Sequence, residues 1–390
     1  MTDDTIAERF KRTNVEYSTD LQERIVKSRD LTKFVKSLSI PDIVVYPKNE
    51  EDVIKIVEFA LEEHVPIVPR GSGHGSVGGV IPLKGGILVD MTRMNKRIEE
   101  DEDTITLEAG SPINFPARVY PTLWKRVTIG GNFCGGSWGI GSYMYGINWD
   151  QVIEARMVNP LGSVVTLKGG DIKIAAHAEG TTGIVTSLKV LKKPGYREEA
   201  RIYLFGRLKD AVRAITKVYE ESPPLYHLLL RSPQMSRLTK HLGEFNKWQL
   251  LIVYFSESEP EEKDLPRQSY VNGKVLWENR DMFFAGVYLK HFNEMYYSTV
   301  HVELDRMEGI MEKFKDEYLE VEFANDRLAH IDIMSNRPIN FTLDNPFSVD
   351  DIKINSRLRR DHLQKIINYK KRYDKEDLFN PGKVSLEVFQ

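Results

Sequence analysis

The sequence predicts an α+β protein in two parts, a glycine-rich half and an aromatic, glycine-poor half, with a short tail returning to the first. Three observations carry this. Of 27 glycines, 21 lie between Gly71 and Gly195. Short apolar runs of strand length thread that stretch. Beyond Pro194-Gly195, helical and strand-like segments alternate. We place the parts at residues 1–198, 199–370 and 371–390.

Ile43–Pro47 reads as a short strand, and Asn49 can cap the helix that follows, with Glu51 and Asp52 in its first turn. Val53, Ile56, Val57, Ala60 and Leu61 have the spacing of one buried helix face. Val65–Pro69 forms a second strand and completes a β-α-β unit, and strands follow at 86–91, 104–109, 152–158 and 185–191. In the second half we expect helices at 208–220, 303–316 and 349–372, and strands at 225–231, 248–256, 282–290 and 318–324.

With 54 basic against 57 acidic side chains, the net charge of −3 offers no general attraction to nucleic acid or an anionic surface. The single cysteine, Cys134, excludes an internal disulfide and a thiolate-only zinc site. MTDDTIAERFKR contains no apolar run, so we expect no secretory signal and a cytoplasmic protein. Peripheral association with a membrane electron carrier stays open. The long uncharged stretch from Val127 to Trp149 contains seven glycines. Each costs a helix about 1 kcal/mol. We read it as loops and short strands.

Gly73-His74-Gly75-Ser76-Val77-Gly78 matches G-x-G-x-x-G after a strand. A dinucleotide fold needs a helix to open there, and Gly79-Val80-Ile81-Pro82 cannot open one. The loop Arg70-Gly71-Ser72-Gly73-His74-Gly75-Ser76 can still cradle a pyrophosphate through successive backbone N–H groups, since absent Cβ atoms allow close approach. A surface linker is the alternative.

PDIVVYPKNEEDVIKIVEFALEEHVPIVPRGSGHGS resembles the start of the flavin domain shared by vanillyl-alcohol oxidase and p-cresol methylhydroxylase. TIGGNFCGGSWGIGSYMYGINWDQVIEARMVNPLGSVV and AEGTTGIVTSLKVLKKP resemble its second and third flavin segments. The resemblance implies a two-subdomain FAD-binding domain and an α+β substrate domain. It implies FAD held by residues 70–76, by Gly131, Gly136, Ser137 and Gly141, by Glu179, Gly183, Ile184 and Val185, and by Asn380 and Lys383 of the tail. Asn380-Pro381-Gly382-Lys383 and Glu179-Gly180-Thr181 resemble glycolate oxidase and D-lactate dehydrogenase flavoproteins, whereas Arg70-x-x-x-His74 and Gly135-Gly136-x-x-Gly139 resemble berberine-bridge-type and sugar oxidases. In the latter the matching histidine is bonded to the flavin. His74 can therefore be covalently attached, hydrogen-bonded to phosphate or ribose, or a solvent-facing loop residue; we expect the covalent bond. Trp124 stands where doubly attached relatives carry cysteine.

The second half should supply a base for a hydroxyl proton and, for a carboxylate substrate, an arginine. Candidate bases are His227, His291, His301, His330, Tyr288 and Tyr297, and candidate anion binders are Arg231, Arg327, Arg337 and Lys383. We favour His330, Arg231 and Tyr288 as catalytic, although each alone can be a structural residue. Ala329-His330-Ile331-Asp332 lacks the metal-binding H-x-x-H of hydroxyacid relatives, so no metal is expected. The expected function is FAD-dependent oxidation of a CH–OH group of a small hydroxy acid or a sugar-type alcohol or lactone. The electron acceptor would be oxygen, a quinone or another redox protein. The alternative is a non-catalytic FAD-binding electron-transfer subunit. No nucleic-acid partner is expected, and homo-oligomer formation stays open.

Overall fold

The computed structural model describes residues 5–32, 39–136, 138–239, 246–284, 296–337, 339 and 353–386. Three sheets organise them. The first has four strands, β1 (Tyr17–Ser18), β2 (Ile43–Val45), β3 (Ile67–Arg70) and β4 (Ile87–Asp90), in the order β1-β2-β4-β3. β2, β4 and β3 run parallel, as a β-α-β unit requires. The connecting helix Glu50–Glu62 is capped by Asn49, whose side chain accepts from the Asp52 N–H, and its buried face is Val53, Ile56, Val57, Phe59 and Ala60.

The second sheet is antiparallel, with β5 (Arg97–Glu100), β6 (Thr104–Glu108), β7 (Val152–Val158), β8 (Val164–Lys168) and β9 (Ile184–Leu191) in the order β5-β6-β9-β7-β8. Between β6 and β7 lies the glycine-rich uncharged stretch, and it differs from expectation. It contains the helices Ile129–Gly135 and Ser142–Tyr145. Thr128 caps the first by accepting from Gly131 N–H. Gly130 is there because a Cβ would come within 2.6 Å of the Ala109 Cβ. Close packing outweighs intrinsic propensity at that position.

The third sheet has seven antiparallel strands in the order β13-β10-β12-β11-β15-β16-β14. They are β10 (Glu198–Phe205), β11 (Leu225–Arg231), β12 (Trp248–Phe255), β13 (Tyr270–Asn272), β14 (Tyr296–Glu303), β15 (Tyr318–Phe323) and β16 (Leu328–Ser335). Helices Leu208–Glu221 and Leu304–Lys313 cover one face, packing Ala211, Ile215, Met307 and Met311 against Leu228, Leu230, Ile331 and Ile333. Side chains alternate across a strand, so Leu229, Arg231, His330 and Asp332 point to the opposite face, toward the flavin half.

β10, β13, β14 and β16 are absent from the sequence-based expectation. The strand expected at 282–290 begins inside the helix Arg280–Phe283, and its remainder lies outside the described residues. The helix expected at 349–372 is observed as Arg360–Tyr373. Its Ile366 and Ile367 pack with Ala178, Ile354 and Val384, so the return to the glycine-rich half begins before residue 371. No helix among the described residues is long and apolar enough to cross a membrane.

Candidate functional site

A cavity of about 300 Å³ opens between the glycine loops and the inner face of the seven-stranded sheet. Its floor is built from three segments. The first follows β3, where the buried Arg70 guanidinium donates to the carbonyls of Lys27 (2.8 Å), Arg29 (2.7 Å) and Ser72 (3.2 Å). Gly73 folds over that guanidinium at φ +72°, and a Cβ there would overlap it. At Gly71 a Cβ would overlap Thr128 Oγ1 and sit 3.2 Å from Gly131 Cα. These two loops therefore meet backbone to backbone, leaving bare main chain along the wall.

The third segment, Glu179 to Val185, precedes and opens β9. Glu179 has φ +48° and His177 φ +52°. Left-handed backbone is costly for residues with a side chain, and here it is held from several sides. Arg357 Nη1 donates to Glu179 Oε1 at 2.6 Å, and Asn380 Nδ2 donates to the carbonyls of Gly79 (2.8 Å) and Glu179 (2.6 Å). Lys383 Nζ donates to the Gly78 carbonyl. Burial pulls the Lys383 ammonium down to about 8.

The roof is two rows of side chains running across the sheet. In register, Leu229 faces Glu322, Glu322 faces His330, and His330 faces His301. Beside this row, Arg231 faces Glu320, Glu320 faces Asp332, and Asp332 faces Thr299. His301 Nε2 and His330 Nδ1 are 2.5 Å apart, and His330 Nε2 is 3.2 Å from Asp332 Oδ1. Trp138 stacks on both imidazoles, with centroids at 5.0 and 5.9 Å. The Tyr297 phenol donates to Asp332 Oδ1 at 2.6 Å and accepts from Thr299 Oγ1 at 2.7 Å.

The electrostatics follow from burial. Desolvation, then the neighbouring His330, hold His301 well below the ordinary imidazole range, so the ring is neutral. Burial, then the carboxylates of Asp332 and Glu320, push Glu322 well above the ordinary range and keep it protonated. Burial and Asp332 push the Tyr297 phenol well up. The roof thus presents the neutral His301 imidazole and the carboxylic acid of Glu322 beside His330 and the Tyr297-bound Asp332.

Among the residues expected to bind the cofactor, 70–76, Gly131, Gly136, Glu179, Gly183, Ile184 and Val185 line this cavity. Gly141, Asn380 and Lys383 do not. Gly141 is packed against Arg118 and Tyr226 at the contact with β11. The two tail residues grip the loops from behind. Ser137 and Tyr288 lie outside the described residues, as does His291.

His330 lies in the roof, but the expectation for Arg231 needs correction. It is fully buried outside the cavity lining, with Nε 3.2 Å from Glu320 Oε2 and Nη1 donating to Gln249 Oε1 at 3.1 Å. Its Nε faces the protein's own acid, and its Nη2 donates to the Met235 carbonyl at 3.4 Å. Asp332 and Glu322 were missed, although the alternation Ala329-His330-Ile331-Asp332 is a strand signal with polar groups on one face.

The three bare-backbone loops fit FAD, whose pyrophosphate needs close main-chain donors. Residues 41–168 match the family model described as FAD binding domain. The chain is 34% identical over 218 residues to glycolate oxidase subunit GlcD of Bacillus subtilis (strain 168), covering 50% of this chain and 46% of that protein. It is 32% identical over 218 residues to the mitochondrial D-lactate dehydrogenase (cytochrome) of Arabidopsis thaliana, covering 50% and 38%. The chain thus spans about half or less of the length of these curated relatives. Among solved structures, p-cresol methylhydroxylase with substrate bound aligns with a TM-score of 0.72 at 13% identity, covering 98% of this chain and 97% of that one. That likeness shows the fold.

Proposed function

We propose that this chain, an FAD-binding-domain protein with the p-cresol methylhydroxylase fold, is an FAD-dependent oxidoreductase acting on the CH–OH group of a small hydroxy acid or a sugar-type alcohol or lactone. The observation that carries the reading is the polar roof of His301, His330 and Asp332, facing the flavin loops across one cavity. When bound, FAD supplies the hydride acceptor.

The chain's own residues manage the proton. The facing nitrogens of His301 and His330 are engaged with each other, so an outer ring nitrogen of the pair accepts the proton of a substrate hydroxyl. Asp332, 3.2 Å from His330, counters the charge that results. Tyr297 and Thr299 fix the Asp332 carboxylate in place. Trp138 holds both rings flat and keeps water from that side. We also assign His74, which lines the cavity, as the residue bonded to the flavin.

Anaerobic mixing of the purified yellow protein with a panel of hydroxy acids, aldoses and polyols tests the activity. At least one compound should bleach the flavin. If none does, the protein is better read as an electron-transfer subunit.

A further inference from the structure

The roof contains one hydrogen-bonding position left open. Glu322 is 5% exposed, it lines the cavity, and its Oε1 has no hydrogen-bond partner among the described residues. Its cross-strand neighbours are accounted for. His330 is engaged with His301 and Asp332, and Leu229 is apolar. Glu322 therefore lines the cavity with one carboxyl oxygen unpaired among the described residues.

The charges around it restrict what that can be. Among the described residues, the guanidinium groups lining the cavity already have protein acceptors. Arg70 donates to three carbonyls, and Arg357 pairs with Glu179. Arg231, the cation of the roof rows, is turned to Glu320. A substrate carboxylate would thus meet the Asp332 carboxylate with no uncommitted cation among the described residues, where burial strengthens the repulsion. An uncharged hydroxyl meets no such penalty. It can donate to the open carbonyl oxygen of Glu322, or accept from its acid proton.

We propose that the site selects an uncharged polyol carrying the reacting CH–OH beside a second hydroxyl, and that Glu322 is the specificity residue that hydrogen-bonds the second hydroxyl. This rests on the CH–OH oxidation proposed above and narrows its substrate class.

Pairs in which a carboxylate replaces an uncharged terminal carbon test it: glycerol against D- and L-glycerate, propane-1,2-diol against D- and L-lactate, and glucitol against gluconate. The readout is anaerobic bleaching of the holoprotein at pH 7. The uncharged member of at least one pair should half-saturate at a concentration at least tenfold lower than its acid. E322Q, which keeps a donor and an acceptor, should hold that value within about threefold. E322L should raise it at least tenfold with an unchanged limiting rate and an unchanged thermal midpoint. Preference for the acids, or for 3-aminopropane-1,2-diol over glycerol, would overturn the inference while leaving CH–OH oxidation standing, and so would an E322L that binds polyols normally. Bleaching by no compound in any pair would remove the parent reading, and this inference with it.

Discussion

His301 and His330 face each other across the β14–β16 ladder with ring nitrogens 2.5 Å apart, and both rings lie against one face of Trp138. At that distance the facing nitrogens share one hydrogen bond, which fixes the two rings relative to each other.

That pairing predicts that neither histidine can be removed without loss. General-base catalysis contributes roughly 10²- to 10⁴-fold. H301A and H330A should each slow substrate-driven flavin bleaching by at least 100-fold, with the FAD absorbance of the purified protein unchanged. Stopped-flow reduction under anaerobic conditions measures this, and a loss below threefold in either variant would count against the assignment.

His74 should carry the flavin. Acid-precipitated, denatured protein should stay yellow, with a mass increase of one FAD, and H74A should yield a colourless pellet while still binding FAD when native. A colourless wild-type pellet would contradict the bond.

The loop glycines should be irreplaceable for cofactor binding. At Gly71 an added methyl meets Thr128 Oγ1, and at Gly73 it meets the Arg70 guanidinium in left-handed backbone. Such a residue costs about 1–3 kcal/mol before any clash. G73A should therefore weaken FAD binding at least tenfold, measured by titrating FAD into deflavinated protein that carries H74A, with H74A alone as the reference. Because Gly206 has open space around its Cβ position, G206A should leave the cofactor in place.

Stability should fall on mild acidification. Burial holds His177, His227 and His301 below the ordinary value of 6.5, His227 at about 3. Below pH 6.5 the unfolded chain binds protons at these sites and the folded chain does not, so unfolding gains as pH drops. His362 acts in the same sense, and the acids that burial pushes up, Glu322, Asp30 and Asp150, act with the opposite sign and offset part of the effect. The urea midpoint should drop clearly between pH 7 and pH 5.5, and an unchanged midpoint would refute the balance.

The flavin half was legible because its demands are local. A β-α-β unit shows in helix spacing and in Asn49, and bare backbone shows as glycine. The roof was less legible because its partners are remote in the chain. Arg231 has the chemistry of a substrate fork, and only the register places Glu320 opposite it. β14 and β16 are buried on both faces, so Thr299, His301, His330 and Asp332 look in sequence like a solvated edge when they line a cavity. The helix Ile129–Gly135 was hidden by its glycines, which propensity counts against a helix and packing requires.

Lys383 and Asn380 reach back some 300 residues to Gly78 and Gly79. Contacts that far apart form late, after the loops between them have closed. During synthesis the floor segment therefore emerges long before its clasp, and a chain without residues 380–383 lacks the donors that hold the carbonyls of Gly78, Gly79 and Glu179.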